Sequence, residues 1–443
     1  MLEKPIHWNQ MSHEEKRAMR LEAWAAGKTV SFESPEARVQ YQQRANLIKD
    51  AVELKKAPAR VPVAGLGGAY MYRRKGVNQK ATMYDRWEEA ANAVIEFQKD
   101  FQTDTGAFMF LMSGPSMELL GQTNMKWAGY GLPDDSQYQF VEQEYLKADE
   151  YDHFINDPTD YLLRVFWPRF HPALAGLKKI APLTIDNIGF GVAQLAFMDP
   201  DVQRALDLLK QSAMLSLPPL QVTMQTAGRL QAMGYPSFSS GFGAAPYDSL
   251  GDMLRGTKGI MTDLFRRPEK IRSACDKIAT LYKVPDLPLG SPPFIFMPLH
   301  KGAEGFMSED QYAEFYWPTF KKVMLDMIEE GLIPLPFAEG RFNSRMEFIT
   351  ELPKASSVWF FDQSDMHLAK DILGDTCCIM GNVPISLIAT GSPEQVEDCC
   401  RDLIDYCGRG GGFILAPSTQ IDEGREETVR ALADFPKKYI GNS

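Results

Sequence analysis

One histidine, several carboxyl groups and two amides stand in this chain where chemistry is easiest to build. Five short apolar runs end at them: FIFMPLH (294–300), IPLPFAE (333–339), SSVWFFD (356–362), TCCIMGN (376–382) and GGFILAP (411–417). The runs break off at His300, Glu339, Asp362, Asn382, and Thr419 with Gln420. A histidine exchanges protons near neutral pH. A carboxyl group does so once burial raises its pKa. Each residue also has a plain structural use. A strand-end histidine can cap a turn, Glu339 can meet a helix dipole, and Asp365, after Ser364, suits a helix start.

These groups act together only if the runs bring their ends to one place. Each run is rich in β-branched or aromatic residues, is too short for a helix and is followed by a helical pattern. Strand, polar turn and helix in repetition describe a parallel (β/α)8 barrel of the α/β class, whose reacting groups sit on the turns after the strands. ARVPVAGLGG (59–68) and TGAFMFLMSGP (105–115) read as earlier strands, and SFSSGFG (237–243) as another. Residues 1–58 read as a helical extension laid on a barrel of residues 59–443. In that extension Ser12 starts a helix without a strict capping box, and Ser34-Pro35 starts a second. Helices are expected at 199–217 and again at 223–235. A further helix, 309–330, has a capping box of Ser308 with Gln311, a kink at Pro318 and a stop at Gly331. Ser392 with Gln395 opens another. Between 116 and 160 the text is irregular and rich in aromatics and carboxylates, which suits a lid or a solvated face.

Composition narrows the function. The 443 residues carry a net charge of −11, and no basic run offers a face for nucleic-acid phosphates. Apolar stretches are shorter than a membrane span, and MLEKPIHWNQ lacks a signal-peptide core. The expectation is a cytoplasmic protein. Six cysteines, at 275, 377, 378, 399, 400 and 407, form no CxxC pair. Cys377 and Cys378, adjacent on a strand, must face opposite ways. The glycines after the first strand lack the GxxxxGK[ST] spacing of a phosphate loop.

GNVPISLIATGSPEQVEDCCRDLIDYCGRGGGFILAPSTQI, with HKGAEGFMSEDQYAEFYWPTFKKVM and YDSLGDMLRGTKGIMTDLFRRPEKI before it, resembles the C-terminal text of the uroporphyrinogen decarboxylase superfamily. That resemblance implies an eight-stranded β/α barrel with its cleft at the strand C-termini. The porphyrinogen-gripping R-Q-A-G-R turn is missing; RVPVAGLGGAYMYRRKG stands there, with Arg73 and Arg74. The long form, with VEQEYLKADEYD, looks most like the substrate-demethylating components of corrinoid-dependent O-demethylase systems. Thiol-methylating relatives hold zinc through H-x-C and a later Cys. Phe337-Ala338-Glu339-Gly340 and Ser418-Thr419 occupy those places, so a thiolate zinc site is not expected.

The resemblance implies methyl transfer from a small methylated, best a methoxylated aromatic, donor to the cobalt of a partner corrinoid protein. This chain has no D-x-H-x-x-G motif of its own for cobalamin. An ether oxygen leaves poorly and needs a proton or a Lewis acid. The expected catalytic residues are His300, Glu304 and Glu339, with Glu339 and His300 also candidates to ligate Zn²⁺. Phe242, Tyr247, Asp365, Asn382 and Gln420 are expected to contact substrate, with Trp359 a further aromatic. A homodimer is compatible with the resemblance. Two rivals stay open: a decarboxylase or lyase of a carboxylated small molecule, and a ligand-binding barrel that has lost its chemistry.

Overall fold

The five runs are parallel strands, Phe294–Leu299, Ile333–Ala338, Val358–Phe361, Cys378–Val383 and Phe413–Pro417, preceded by Gly241–Phe242 and paired in chain order. The computed structural model describes residues 2–56, 59–65 and 67–440; the expected boundary at residue 58 lies outside the described residues. Two extended segments complete the ring. Leu415 N donates to Pro62 O and Ala64 N to Leu415 O, both at 2.9 Å; Asp104 N donates to Val63 O at 2.8 Å, and Gly106 N to Pro236 O at 2.9 Å. Side chains replace part of the ladder here. Asp104 Oδ2 accepts from Val63 N, and Thr105 Oγ1 accepts from Gly65 N, each at 2.8 Å. The first two barrel positions are therefore extended without being regular strands.

Alternation along the strands sorts the core into two layers. Ile295, Met297, Trp359, Phe361, Ile379 and Leu415 pack outward under the helices. Phe294, Ile333, Leu335, Val358, Phe360 and Met380 point into the lumen, where Trp24, Tyr41 and Ile48 of the N-terminal extension join them. Cys377 lies in the outer layer and Cys378 in the lumen. The extension is thus the floor of the barrel, with Trp24 meeting Phe294 edge-on at 5.3 Å.

Helix His13–Ala25 is fixed to the barrel through backbone groups that a helix end leaves open. Lys16 Nζ donates to Glu329 O at 2.9 Å; Arg20 Nε donates to Glu330 O at 2.9 Å and its Nη1 to Leu287 O at 3.0 Å. The approach is so close that a Cβ on Gly331 (φ +71°) would lie 2.6 Å from Lys16. Contrary to expectation, Ser12 does form a capping box, because Glu15 rather than Lys16 occupies the third helical position.

Other expectations change in detail. Helices 199–217 and 223–235 are one helix, Pro200–Ala232, running through Pro218 and Pro219. Its packing against helix Gly114–Leu120 and residues 172–179, with Ser116 and Ser212 hydroxyls 2.7 Å apart, outweighs the local break. The kink expected at Pro318 is a π-turn over Tyr312–Tyr316, which relieves the clash of the proline ring with the preceding turn. The stretch 116–160 holds short strands (Met125–Ala128, Gly131–Leu132, Gln139–Phe140) and short helices. Its carboxylates tie it down. Glu150 is chelated by Arg169 at 2.6 Å, and that hydrogen bonding holds its pKa down at about 2.

If the floor belongs to the core, Trp24→Ala costs about 3–5 kcal/mol, by analogy with other buried Trp truncations. Urea unfolding followed by fluorescence reads this as a lower midpoint; an unchanged midpoint would detach the extension from the barrel.

Candidate active site

The strand Phe294–Leu299 ends in His300 and Lys301, and a buried carboxylate holds that turn. Asp248 accepts from His300 N at 3.1 Å, Lys301 N at 2.7 Å and Tyr316 OH at 2.6 Å. Burial, then the nearby charge of Asp252, pushes the Asp248 pKa up to about 6, against the pull of those three donors. Asp252 follows one turn later, in the π-wound segment Ser249–Arg255. It lies 3.1 Å from His300 Nδ1 and 2.8 Å from Lys301 Nζ, which also donates to Thr257 Oγ1 at 2.6 Å. Burial works against its charge, but His300 and Lys301 outweigh it, and the Asp252 pKa is held below the ordinary value. The same hydrogen bond raises the His300 pKa despite partial burial. With Nδ1 donating to Asp252, Nε2 is the ring atom left for a guest.

Glu339 closes the next strand. Its carboxylate makes no hydrogen bond to any described residue, and it is open to solvent through the mouth. The surrounding walls still raise its pKa; the His300 charge opposes this, while Asp362 and Asp252 add to it. His300, Glu339 and Asp362 therefore share one electrostatic neighbourhood at the rim. From the stretch 116–160, Tyr138 reaches the same region. Burial first, then the charges of Glu339 and Asp422, raise its phenol pKa. Gln137 Nε2 donates to Asp422 Oδ1 at 2.9 Å and Arg73 Nη2 to Asp135 O at 2.8 Å, which joins that stretch to the first and last barrel turns.

Below this polar arc, partly on the same strands, an aromatic wall descends into the lumen. Phe110 and Phe242 meet at 6.2 Å, Phe242 and Phe296 at 5.9 Å, Phe296 and Phe337 at 6.1 Å, and Phe337 and Phe360 at 4.6 Å. Its upper end is open, Phe242 being 53% exposed, while Phe360 is buried.

The other expected residues have partners of their own. Glu304 Oε1 accepts from Ser344 N at 2.7 Å and Ser344 Oγ at 3.0 Å, clamping the turn after Glu339. Asp365 caps helix Met366–Leu373 through His367 N and Leu368 N. Asn382 Nδ2 donates to Asp362 O at 3.0 Å and Ser364 O at 2.8 Å, bracing the rim. Tyr247 and Trp359 are buried in the outer layer, not in the mouth. Gln420 is exposed on the loop after the last strand. Asp248, Asp252 and Lys301 were not singled out by sequence; the only signal was the four-residue spacing of the two aspartates in YDSLGD.

Among the described residues no three His, Cys, Asp or Glu side chains converge as metal ligands. Five cysteines are buried and the sixth, Cys399, is half-buried on helix Pro393–Cys407. The donor set present does not fit a resident zinc ion held by His300 and Glu339.

Tyr316→Phe removes one donor from the charged form of Asp248, so the folded pKa rises further. The loss, about 1–3 kcal/mol, is then largest near pH 8, where Asp248 is ionised, and shrinks near pH 5, below its folded pKa. Urea titrations at the two pH values check the sign; equal losses would separate Tyr316 from the charge of Asp248.

No curated protein sequence matches the chain. Among solved structures, a methyltransferase from Methanosarcina mazei shares the fold, with a TM-score of 0.57 at 13% identity over 88% of this chain and 97% of that one. The profile described as uroporphyrinogen decarboxylase (URO-D) matches residues 198–439, which is more than half of the chain and spans the turns bearing Asp248, His300 and Glu339. The chain belongs to the uroporphyrinogen decarboxylase family.

Proposed function

We propose that this protein is a methyltransferase that takes a methyl group from a small methoxylated aromatic compound and delivers it to the cobalt of a separate corrinoid protein. The observation that carries this reading is the pairing of an open aromatic wall with two groups of raised pKa, His300 and Glu339, at one barrel mouth. The solved methyltransferase of like fold supports the reaction class. The corrinoid of the partner supplies the nucleophile.

The chain's own residues do the rest. Phe242, Phe296 and Phe337 take an aryl ring edge-on or stacked and orient its methoxy group towards the rim. The methyl–oxygen bond breaks with its electron pair left on oxygen. His300 Nε2 gives that oxygen a proton, and the product leaves as a phenol. Asp252 favours the charged form of His300, and Glu339, whose pKa burial raises, lies on the same arc. Glu304 acts by holding the turn of Ser344. Arg73 and Arg74, which could otherwise grip a carboxylated substrate, are engaged with Asp422 O and Asp135 O and with Asp100.

The reaction is tested by mixing the protein with reduced corrinoid protein and a panel of methoxylated aromatics. The expected result is donor-dependent methylation of cobalt with release of the phenol; failure with every methyl ether and methylamine counts against the reading. Because the charged imidazole is the acid, activity falls as pH rises through the folded His300 pKa, which lies above its ordinary value. Asp252→Asn removes the largest cause of that elevation. The basic limb of the rate profile should shift to lower pH, and an unshifted limb would remove His300 from the proton transfer.

A further inference from the structure

Three polar groups of the mouth make no hydrogen bond to any described residue: His300 Nε2, the Glu339 carboxylate and the Tyr138 hydroxyl. Their neighbours are already engaged. Asp252 holds His300 and Lys301, and Asp362 Oδ2 accepts from Gly340 N at 3.0 Å. Asp422 Oδ1 accepts from Ala69 N and Gln137 Nε2, each at 2.9 Å. Tyr138 is nevertheless held in place. The residues before it are tied down by Gln137 on Asp422, by Arg73 on Asp135 O, and by Lys80 N on Asp134 O at 2.9 Å. Phe140 meets its ring edge-on at 5.3 Å. The side chain is 49% exposed, so this anchored segment presents an open hydroxyl to a guest.

The proposed reaction uses only His300 Nε2, on the methoxy oxygen. An ionised Glu339 can only accept hydrogen bonds, whereas a phenol also donates one. Burial, then the charges of Glu339 and Asp422, raise the Tyr138 pKa, so its hydroxyl keeps that proton at neutral pH. One group on the guest satisfies both residues: a hydroxyl that donates to Glu339 and accepts from Tyr138. We propose that Tyr138 and Glu339 read a free hydroxyl on the ring carbon next to the methoxy group, which makes a 2-methoxyphenol the preferred methyl donor. Adjacency follows from the barrel. His300 and Glu339 come directly after the paired residues Leu299 and Ala338, on strands roughly 4.8 Å apart. Groups that close reach neighbouring substituents, not substituents at opposite ends of a ring. This inference rests on the donor class proposed above and extends it from the ring to its second substituent.

Calorimetric titration of the full chain with 2-methoxyphenol and with methoxybenzene, without corrinoid protein, tests the recognition apart from the reaction. The expected result is that 2-methoxyphenol binds about tenfold more tightly, or better, from two added hydrogen bonds. Tyr138→Phe keeps the ring against Phe140 and removes the hydroxyl. It should reduce that preference about fivefold, with the urea midpoint of the wild type because the hydroxyl supports nothing in the fold. Equal binding of the two ligands overturns the proposal, and so does a preference that survives Tyr138→Phe in full. In the cobalt-methylation assay the same preference should appear in KM rather than kcat. A calorimetric preference without cobalt methylation would overturn the reaction and leave the hydroxyl recognition standing; methylation from both ethers with equal KM would do the reverse.

Discussion

A single buried carboxylate sets the geometry of the mouth. Asp248 takes two successive backbone N–H groups from the turn after strand Phe294–Leu299 and the hydroxyl of Tyr316. Burying a charge without such donors would be prohibitive; with them, the carboxylate pins the turn and aims His300 at Asp252. The pair Asp248 and Asp252 then divides its work by environment. The fully buried member is pushed towards its neutral form, and the one facing His300 and Lys301 is kept charged. Two carboxylates one turn apart thus have different pKa values and different tasks, one holding the backbone and one charging an imidazole.

The rest of the barrel gives this polar arc something to act on. Its floor is sealed by Trp24, Tyr41 and Ile48, so the lumen below Phe360 is packed core. Above it the phenylalanines become progressively more exposed towards the rim, and the stretch 116–160 brings Tyr138 to the side of Glu339. An apolar wall beside raised-pKa acids suits a neutral guest that must gain a proton as it reacts. No helix among the described residues is long and apolar enough to cross a membrane.

Much of this could be read from local text, and the exceptions share a cause. The five strands and the capping boxes of Ser308 and Ser392 were legible because each depends on residues a few places apart. ARVPVAGLGG (59–68) and TGAFMFLMSGP (105–115) read as strands, but the segments that pair, 61–65 and 103–107, are irregular, since Asp104 and Thr105 spend their side chains on the neighbouring backbone, which no periodicity shows. The two prolines in Pro200–Ala232 looked like a break because the packing that overrides them comes from residues near 116 and 175. Asp248 and Asp252 carry no local signal beyond their four-residue spacing; only their distance from His300 and Lys301, about fifty positions later in the chain, gives them meaning. Asp365 and Glu304 looked like mouth residues because a strand-end position does not say whether a carboxylate faces the lumen or its own loop. Trp359 joins the outer layer because one residue of strand register decides which layer a side chain enters, and Tyr247 joins it from the short helix Pro246–Asp248.

The most direct measurement is the titration of His300 itself, by nuclear magnetic resonance of protein carrying ¹⁵N-labelled histidine; with six histidines in the chain, a His300→Gln variant assigns the signal. Capture by Asp252 requires a pKa above the ordinary histidine value of about 6.5 and, in the neutral form, a proton on Nδ1. A pKa at or below that value, or a neutral ring protonated on Nε2, would contradict the account.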